Sequence, residues 1–276
     1  MDVFWPRLRL AEISASRRLF EERGIGLVAG PAEAAALLDD KARAYADAEV
    51  AGLPVPPYRV VSTGDELQAA YDDLQPLGGV VCKPVDGVGA EGYRVLTRRP
   101  LRLEQLLGPA SVRAHVDEAA TALDTASGTV SLLVMPYLPG PEVSVDCLAD
   151  DAGELLAAVP RSKVGRVRRL VDDPEAVEVA AAIVKRHRLS SLSNTQVRYW
   201  RQPGVDEVPR PYLLETNSRV AGGIYQTRLA GVNIPWAAVC LAAGREVEPL
   251  RPRLGAAYTT VSTLVEHAES EPDDLL

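Results

Sequence analysis

The chain has 276 residues, 47% of them hydrophobic and 25% charged, with a formal net charge of -8. That length supports a full core or two to three subdomains, and the acidic balance without a basic run argues against a nucleic-acid binder. Three separated cysteines (Cys82, Cys147, Cys240) suit reduced thiols in a cytoplasm, not a disulfide framework or a zinc site, and no apolar run is long enough to span a bilayer.

In chain order, residues 1–31 read as strand, helix, strand. An apolar run at 2–5 comes first. Ser14 or Ser16 caps a helix that Gly24 ends, and a buried strand follows at 25–29. A helix spans 31–38, and another runs from near Asp39 to Gly52, where Pro54 and Pro56 block continuation. A strand at 58–62 leads to Thr63 and Glu66, a capping box for a helix reaching about Leu77. A hairpin covers 78–96. Residues 101–126 read as mainly helical, ended by Gly128, and strands are expected at 130–137, 142–149 and 155–159. The basic stretch 161–171 lacks periodicity and reads as a mobile loop. Pro174 opens an amphipathic helix to His187. Strands at 195–200 and 212–215 pair. Helices follow at 224–230 and 235–243, then a strand at 258–265 and an acidic, frayed tail at 266–276.

The hairpin is the first chemical signal. Val80-Val81-Cys82 is strand-prone, Lys83 stands at the strand end, and Gly87, Gly89 and Gly92 follow before Tyr93-Arg94-Val95-Leu96. A glycine loop exposes backbone N–H groups, which with a lysine beside them suit a polyphosphate. The spacing is formally Gly-x-Gly-x-x-Gly. A strand follows it, however, where a dinucleotide site needs a helix, and an ordinary glycine-rich turn has the same appearance.

The second signal is Glu215-Thr216-Asn217-Ser218-Arg219 at the end of an apolar strand. If extension persists, Glu215, Asn217 and Arg219 share one face. If the neighbouring strand pairs antiparallel, Gln196 joins them. Oxygen donors of this kind suit magnesium and arginine suits phosphate, and because one carboxylate is too little charge alone, nucleotide phosphates must supply the other ligands; the alternative is a polar, solvent-facing edge. Glu142, Ser144 and Asp146 alternate after a Pro-Gly-Pro turn. Beside Met135-Pro136-Tyr137-Leu138, that carboxylate could hold ribose hydroxyls while the apolar segment lines an adenine slot, or the strand could simply have one wet face.

Taken together these pieces resemble the ATP-grasp superfamily over about residues 39–245. The resemblance rests on Asp40-Lys41 before a helix ending in Gly52-Leu53-Pro54-Val55-Pro56, and on Cys82-Lys83-Pro84 with its glycine loop. It continues through Tyr137-Leu138-Pro139-Gly140-Pro141-Glu142-Val143-Ser144, Asn194-Thr195-Gln196 and Glu215-Thr216-Asn217-Ser218-Arg219. The closing motifs look most like the carbamoyl-phosphate-synthase type. Phe4-Trp5-Pro6-Arg7 with Val81-Cys82-Lys83-Pro84 gives a fainter likeness to the ATP-grasp proteins of tellurium-resistance operons.

The resemblance implies an α+β fold in which two α+β subdomains grip ATP, with ATP and Mg2+ as cofactors. It implies a shortened N-terminal pre-ATP-grasp β-α-β piece (1–38), an ATP-grasp domain (39–265, the smaller lid subdomain at 58–135) and the tail. By position it makes Lys41 and Lys83 phosphate ligands, Gly87, Gly89 and Gly92 the lid loop, and Met135, Pro136, Tyr137 and Leu138 the adenine hinge. Glu142 becomes the ribose acid, Gln196, Glu215 and Asn217 the magnesium ligands, and Arg219 the phosphate or acyl-phosphate arginine. Arg161 and Lys163 fall in the loop that meets the transferred phosphoryl group. Met135 departs from the acidic residue common at its position, and Ala90-Glu91 replaces small polar residues of the lid.

The expected function is an Mg-ATP-dependent, ADP-forming ligase. It joins a small-molecule carboxylate to an amine or similar nucleophile through an acyl phosphate, in the cytoplasm, without nucleic acid or membrane. The alternatives are a phosphotransferase, or an ATP-binding module whose substrate site a homodimer or partner subunit completes.

Overall fold

The computed structural model describes residues 10–86, 91–100, 103, 112–126, 130–165, 167–259 and 261. The expected strand at 2–5, Gly87, Gly89, Gly128, most of 101–111 and the tail lie outside these residues. Two sheets with their own helical covers face each other, an α+β arrangement.

The first sheet has the order β1-β5-β2-β3-β4, with β1 (Arg59–Val61), β2 (Val80–Pro84), β3 (Arg94–Thr97), β4 (Arg113–His115) and β5 (Leu132–Pro136). β2 and β3 pair antiparallel as Val80↔Leu96 and Cys82↔Arg94, so the hairpin forms as the alternation indicates. Period two then sorts β2. Val80 and Cys82 pack under the helices Gly64–Leu74 and Val116–Thr125 with Leu67, Leu74 and Leu123, while Val81 turns to the opposite face. Thr63 caps the first of these helices through the reciprocal bonds of a capping box with Glu66. The stretch expected to be mainly helical departs at Arg113–His115, which pairs parallel to β3. Three residues are too few for a periodic signal, and the neighbouring strand edge decides their conformation.

The second sheet has the order β10-β9-β6-β7-β8-β11. Its strands are β6 (Glu142–Ala149), β7 (Leu155–Val164), β8 (Val167–Leu170), β9 (Ser191–Trp200), β10 (Arg210–Asn217) and β11 (Ala257–Thr259). Val143, Val145 and Cys147 pack with Val179 and Ile183 of the helix Pro174–His187. Glu142, Ser144 and Asp146 therefore lie on the other face, which looks toward the first sheet at one end. At the other end, Ile234, Ala237 and Ala238 of the helix Ile234–Ala242 cover it. The stretch 161–171 is not a loop. β7 and β8 form a hairpin through it with Lys163↔Arg168, because a buried acid on β6 gives Arg161 a partner that no local pattern reveals.

Residues 25–29 form no strand. No sheet edge receives them, and side chains take their backbone groups: Ser14 Oγ donates to Gly30 O, and Arg17 donates to the carbonyls of Leu27 and Ala29. The preceding helix breaks into Leu10–Ala15 and Arg17–Glu21. The helices Ala32–Leu38 and Lys41–Val50 follow as expected, the second capped by Asp40, which accepts from Arg43 N at 2.9 Å.

Tyr45, Val81, Val85, Leu133, Met135, Leu138, Trp200 and Tyr212 form the core shared between the two sheets. It sets how the layers meet.

Candidate functional site

Between the sheets lies a cleft of about 1240 Å³, large enough for a nucleotide with an acceptor substrate. Met135, Pro136, Tyr137 and Leu138 form one wall; Lys83, Glu142, Gln196, Arg198 and Glu215 converge on it from both sheets. Four residues expected to act on one ligand from distant positions (Lys83, Glu142, Gln196 and Glu215) thus share one space with the apolar segment.

The hinge wall begins on β5, where Tyr137 N donates to Gly79 O at 2.6 Å. Gly140 N donates to Tyr199 O, and a Cβ on Gly140 would lie 2.1 Å from that oxygen, so the Pro-Gly-Pro turn needs glycine for this approach. Arg198 donates from Nε to Gly140 O at 3.0 Å and stacks over the Tyr137 ring at 5.4 Å. Glu142, exposed at the start of β6, stands opposite Arg198 in register.

Lys83 follows Val81 on the cleft face of β2. Its Nζ donates to Leu214 O at 2.9 Å and lies 5.4 Å from the Tyr45 ring centroid. Burial lowers its pKa to about 8. Leu214 O is available because β10 carries a bulge between Leu213 and Glu215. Tyr45 Oη, whose pKa burial pushes upward, meets the carbonyls of Leu213 and Leu214 at 3.0 and 2.9 Å. Tyr45 escaped the sequence reading. Its spacing on an ordinary helix marks it as core, and its polar end shows only once β10 lies beneath it.

Past the bulge, Glu215 pairs with Gln196, which pairs on its other side with Ser144. In the next row Asn217, Asn194 and Asp146 align. Asn217 Nδ2 donates to Glu215 Oε1 at 3.2 Å, and Gln196 Nε2 donates to Asn194 Oδ1 at 3.5 Å. Both amides thereby keep an oxygen for another partner. The set Gln196, Glu215 and Asn217 offers oxygen donors only, the chemistry of a hard cation shared with phosphate. No cluster of three or more histidine, cysteine or acidic residues able to hold a metal occurs among the described residues.

The remaining expected residues are not brought onto the cleft wall. Lys41 is buried, Nζ 3.5 Å from Val85 O, and faces a small adjoining cavity that Glu215 also lines. Gly92 sits at φ +69° beside Pro84. Arg219 lies beyond the end of β10, Nη1 donating to Val220 O at 3.1 Å, so extension does not persist to it. Lys163 is exposed on β7. Arg161 is buried, with Nε and Nη2 on the Asp146 carboxylate and Nη1 on Gln226 Oε1 at 3.2 Å. Burial pushes the Asp146 carboxyl up, against the pull of Arg161 and Asn194. The cleft wall also includes Tyr71, Arg98 and Arg113, which sequence reasoning missed because they lie far from any motif, and Tyr93, which the sequence marks only as the strand residue after the glycine loop.

Two α+β layers closing on a cleft in this strand order are the ATP-grasp fold, and comparison with known proteins agrees. A family model described as ATP-grasp in the biosynthetic pathway with Ter operon matches residues 129–264. Three solved structures share the architecture. The biotin carboxylase domain of Hydrogenobacter thermophilus 2-oxoglutarate carboxylase is 22% identical with a TM-score of 0.65, over 90% of this chain and 55% of that one. N5-carboxyaminoimidazole ribonucleotide synthetase, purK, is 16% identical with a TM-score of 0.63, over 87% and 60%. L-amino acid ligase from Bacillus licheniformis is 17% identical with a TM-score of 0.57, over 91% and 59%. The chain has the ATP-grasp fold, and its residues 129–264 match an ATP-grasp family model. It matches between 55% and 60% of the length of these three structures. No curated protein matches it in sequence. No helix among the described residues is long and apolar enough to cross a membrane.

Proposed function

We propose that the chain is a magnesium-dependent, ADP-forming ligase that joins a carboxylate to an amine or similar nucleophile. The observation that carries this reading is the convergence of Lys83, Glu142, Gln196 and Glu215 on one cleft opposite Met135–Leu138. The Hydrogenobacter carboxylase domain is complexed with MgADP and the synthetase with ADP, which supports a nucleotide here. The donor set fits: oxygens for magnesium, and an ammonium with one protein acceptor and two further donors for phosphate.

In this reading Met135, Pro136, Tyr137 and Leu138 hold adenine and Glu142 the ribose. Lys83 and Lys41, with the loop containing Gly87, Gly89 and Gly92, hold phosphates, and Gln196, Glu215 and Asn217 hold magnesium. Bound Mg-ATP supplies the phosphoryl group that activates the carboxylate as an acyl phosphate. The chain's own work is positioning and charge: the ammonium groups offset phosphate charge, and Glu215 fixes the cation. Arg219 meets the phosphate or acyl phosphate, and Lys163 the transferred phosphoryl group. The division we propose is an N-terminal segment (1–38), an ATP-grasp domain (39–265, lid at 58–135) and an acidic tail (266–276), in a reducing cytoplasm. ADP release against pools of carboxylates and amines, with mass spectrometry of the product, tests the reaction.

The placement of Arg219 and Lys163 off the cleft wall favours one second reading, a nucleotide-binding module whose substrate site a second copy or partner subunit completes. Mg-ATP binding without ADP formation from any acid, until a candidate partner is added, distinguishes it.

A further inference from the structure

A buried polar chain runs from the cleft into the second sheet. Asp146 and Asn194 are fully buried and Arg161 nearly so. The Asp146 carboxylate accepts two bonds from Arg161 and, at Oδ1, one from Asn194 Nδ2 at 2.8 Å. Asn194 Nδ2 also meets Ser144 Oγ at 2.9 Å and Val145 O at 3.3 Å. An amide flip would set Asn194 Oδ1 against the Asp146 carboxylate and the Val145 carbonyl, so the acid dictates which way this amide points, while the Ser144 hydroxyl can meet either end of it. Its Oδ1 then faces Gln196 Nε2, and Gln196 Oε1 is left for the cleft. Arg161 is locked at its other end, where it donates to Gln226 and where a Cβ on Gly223 would lie 2.5 Å from Nη1.

We propose that Asp146, held by Arg161, is a positioning residue that acts through Asn194 to fix the amide of Gln196 with its oxygen toward the bound cation. This assignment rests on the reading of Gln196 as a magnesium ligand. It gives Arg161 a task away from the transferred phosphoryl group. A free glutamine amide turns either way, and the wrong face offers a cation two N–H donors. The relay removes that choice at the cost of one buried ion pair, whose charge the sheet already neutralises.

The test is the Mg2+ dependence of ATP binding, followed by calorimetry with the nucleotide fixed and magnesium varied, and again with EDTA. Asn194→Ser leaves the Asp146–Arg161 pair in place and removes the amide. The expected result is a magnesium midpoint raised about tenfold or more, the scale for losing an outer partner of a metal ligand, with affinity in EDTA unchanged. A purely structural defect would weaken both. Gln196→Ala separates the two claims. If it leaves the midpoint alone, Gln196 is no ligand and the magnesium reading fails. If it shifts the midpoint and Asn194→Ser does not, the ligand stands and the relay is overturned. Should Asn194→Ser fail to fold, Asp146→Asn keeps the shape and removes the acid that orients the amide. A raised magnesium midpoint with affinity in EDTA unchanged then supports the relay, and an unchanged midpoint overturns it.

Discussion

Lys83 is where burial and function oppose each other. Its desolvated ammonium titrates near 8 instead of 10.5. Between those values the unfolded chain holds the proton and the folded chain does not, so this group's contribution to stability rises with pH across that window. A phosphate in the cleft favours the charged form. Mg-ATP affinity should therefore fall as pH rises through about 8, and binding above it should take up a proton. Calorimetry in two buffers of different ionisation enthalpy measures that uptake; identical heats would mean that Lys83 does not meet phosphate. Glu215→Gln keeps shape and removes the one formal negative charge of its trio. Nucleotide binding should largely persist while ADP formation falls by at least ~100-fold, the scale for losing one electrostatic stabiliser. Most of these residues were legible in the sequence because motif order and strand alternation placed them. Arg161 was not understood. A charged residue in a basic, aperiodic stretch looks solvated, and only Asp146, fifteen residues away and buried on the adjacent strand, accounts for it.

At the scale of elements, the bulge in β10 governs the site. It presents the Leu214 carbonyl to both Lys83 and Tyr45, and it sets Glu215 level with Gln196. Tyr45→Phe removes the buried donor and should cost about 1–3 kcal/mol in chemical denaturation. ATP affinity should weaken with it, since Lys41 and Lys83 lie against the same helix and bulge. A stability loss without an affinity change would separate the helix from the site. Thr63→Ala offers the contrast. It removes a helix cap away from the cleft and should cost about 1 kcal/mol with ATP affinity unaltered. That cap was readable from four residues, as was the helix Pro174–His187, because their determinants are local. The strand Arg113–His115 and the β7–β8 hairpin were not, because neighbours in space determine them.

At the scale of the whole molecule, the described residues form two sheets that meet through a shared core and enclose a large cleft. The fold class was legible because widely separated motifs agreed in order, while the route of residues 25–29 depended on which edges were free. The central claim is that this cleft binds Mg-ATP through Lys83. Titration of Mg-ATP into the wild-type chain and Lys83→Ala, by calorimetry at neutral pH, tests it most directly. The account predicts saturable binding to the wild type and a loss of about 1.5–3 kcal/mol in the variant, roughly 10- to 150-fold in affinity. Equal affinity in the two proteins, with the variant folded, would contradict it.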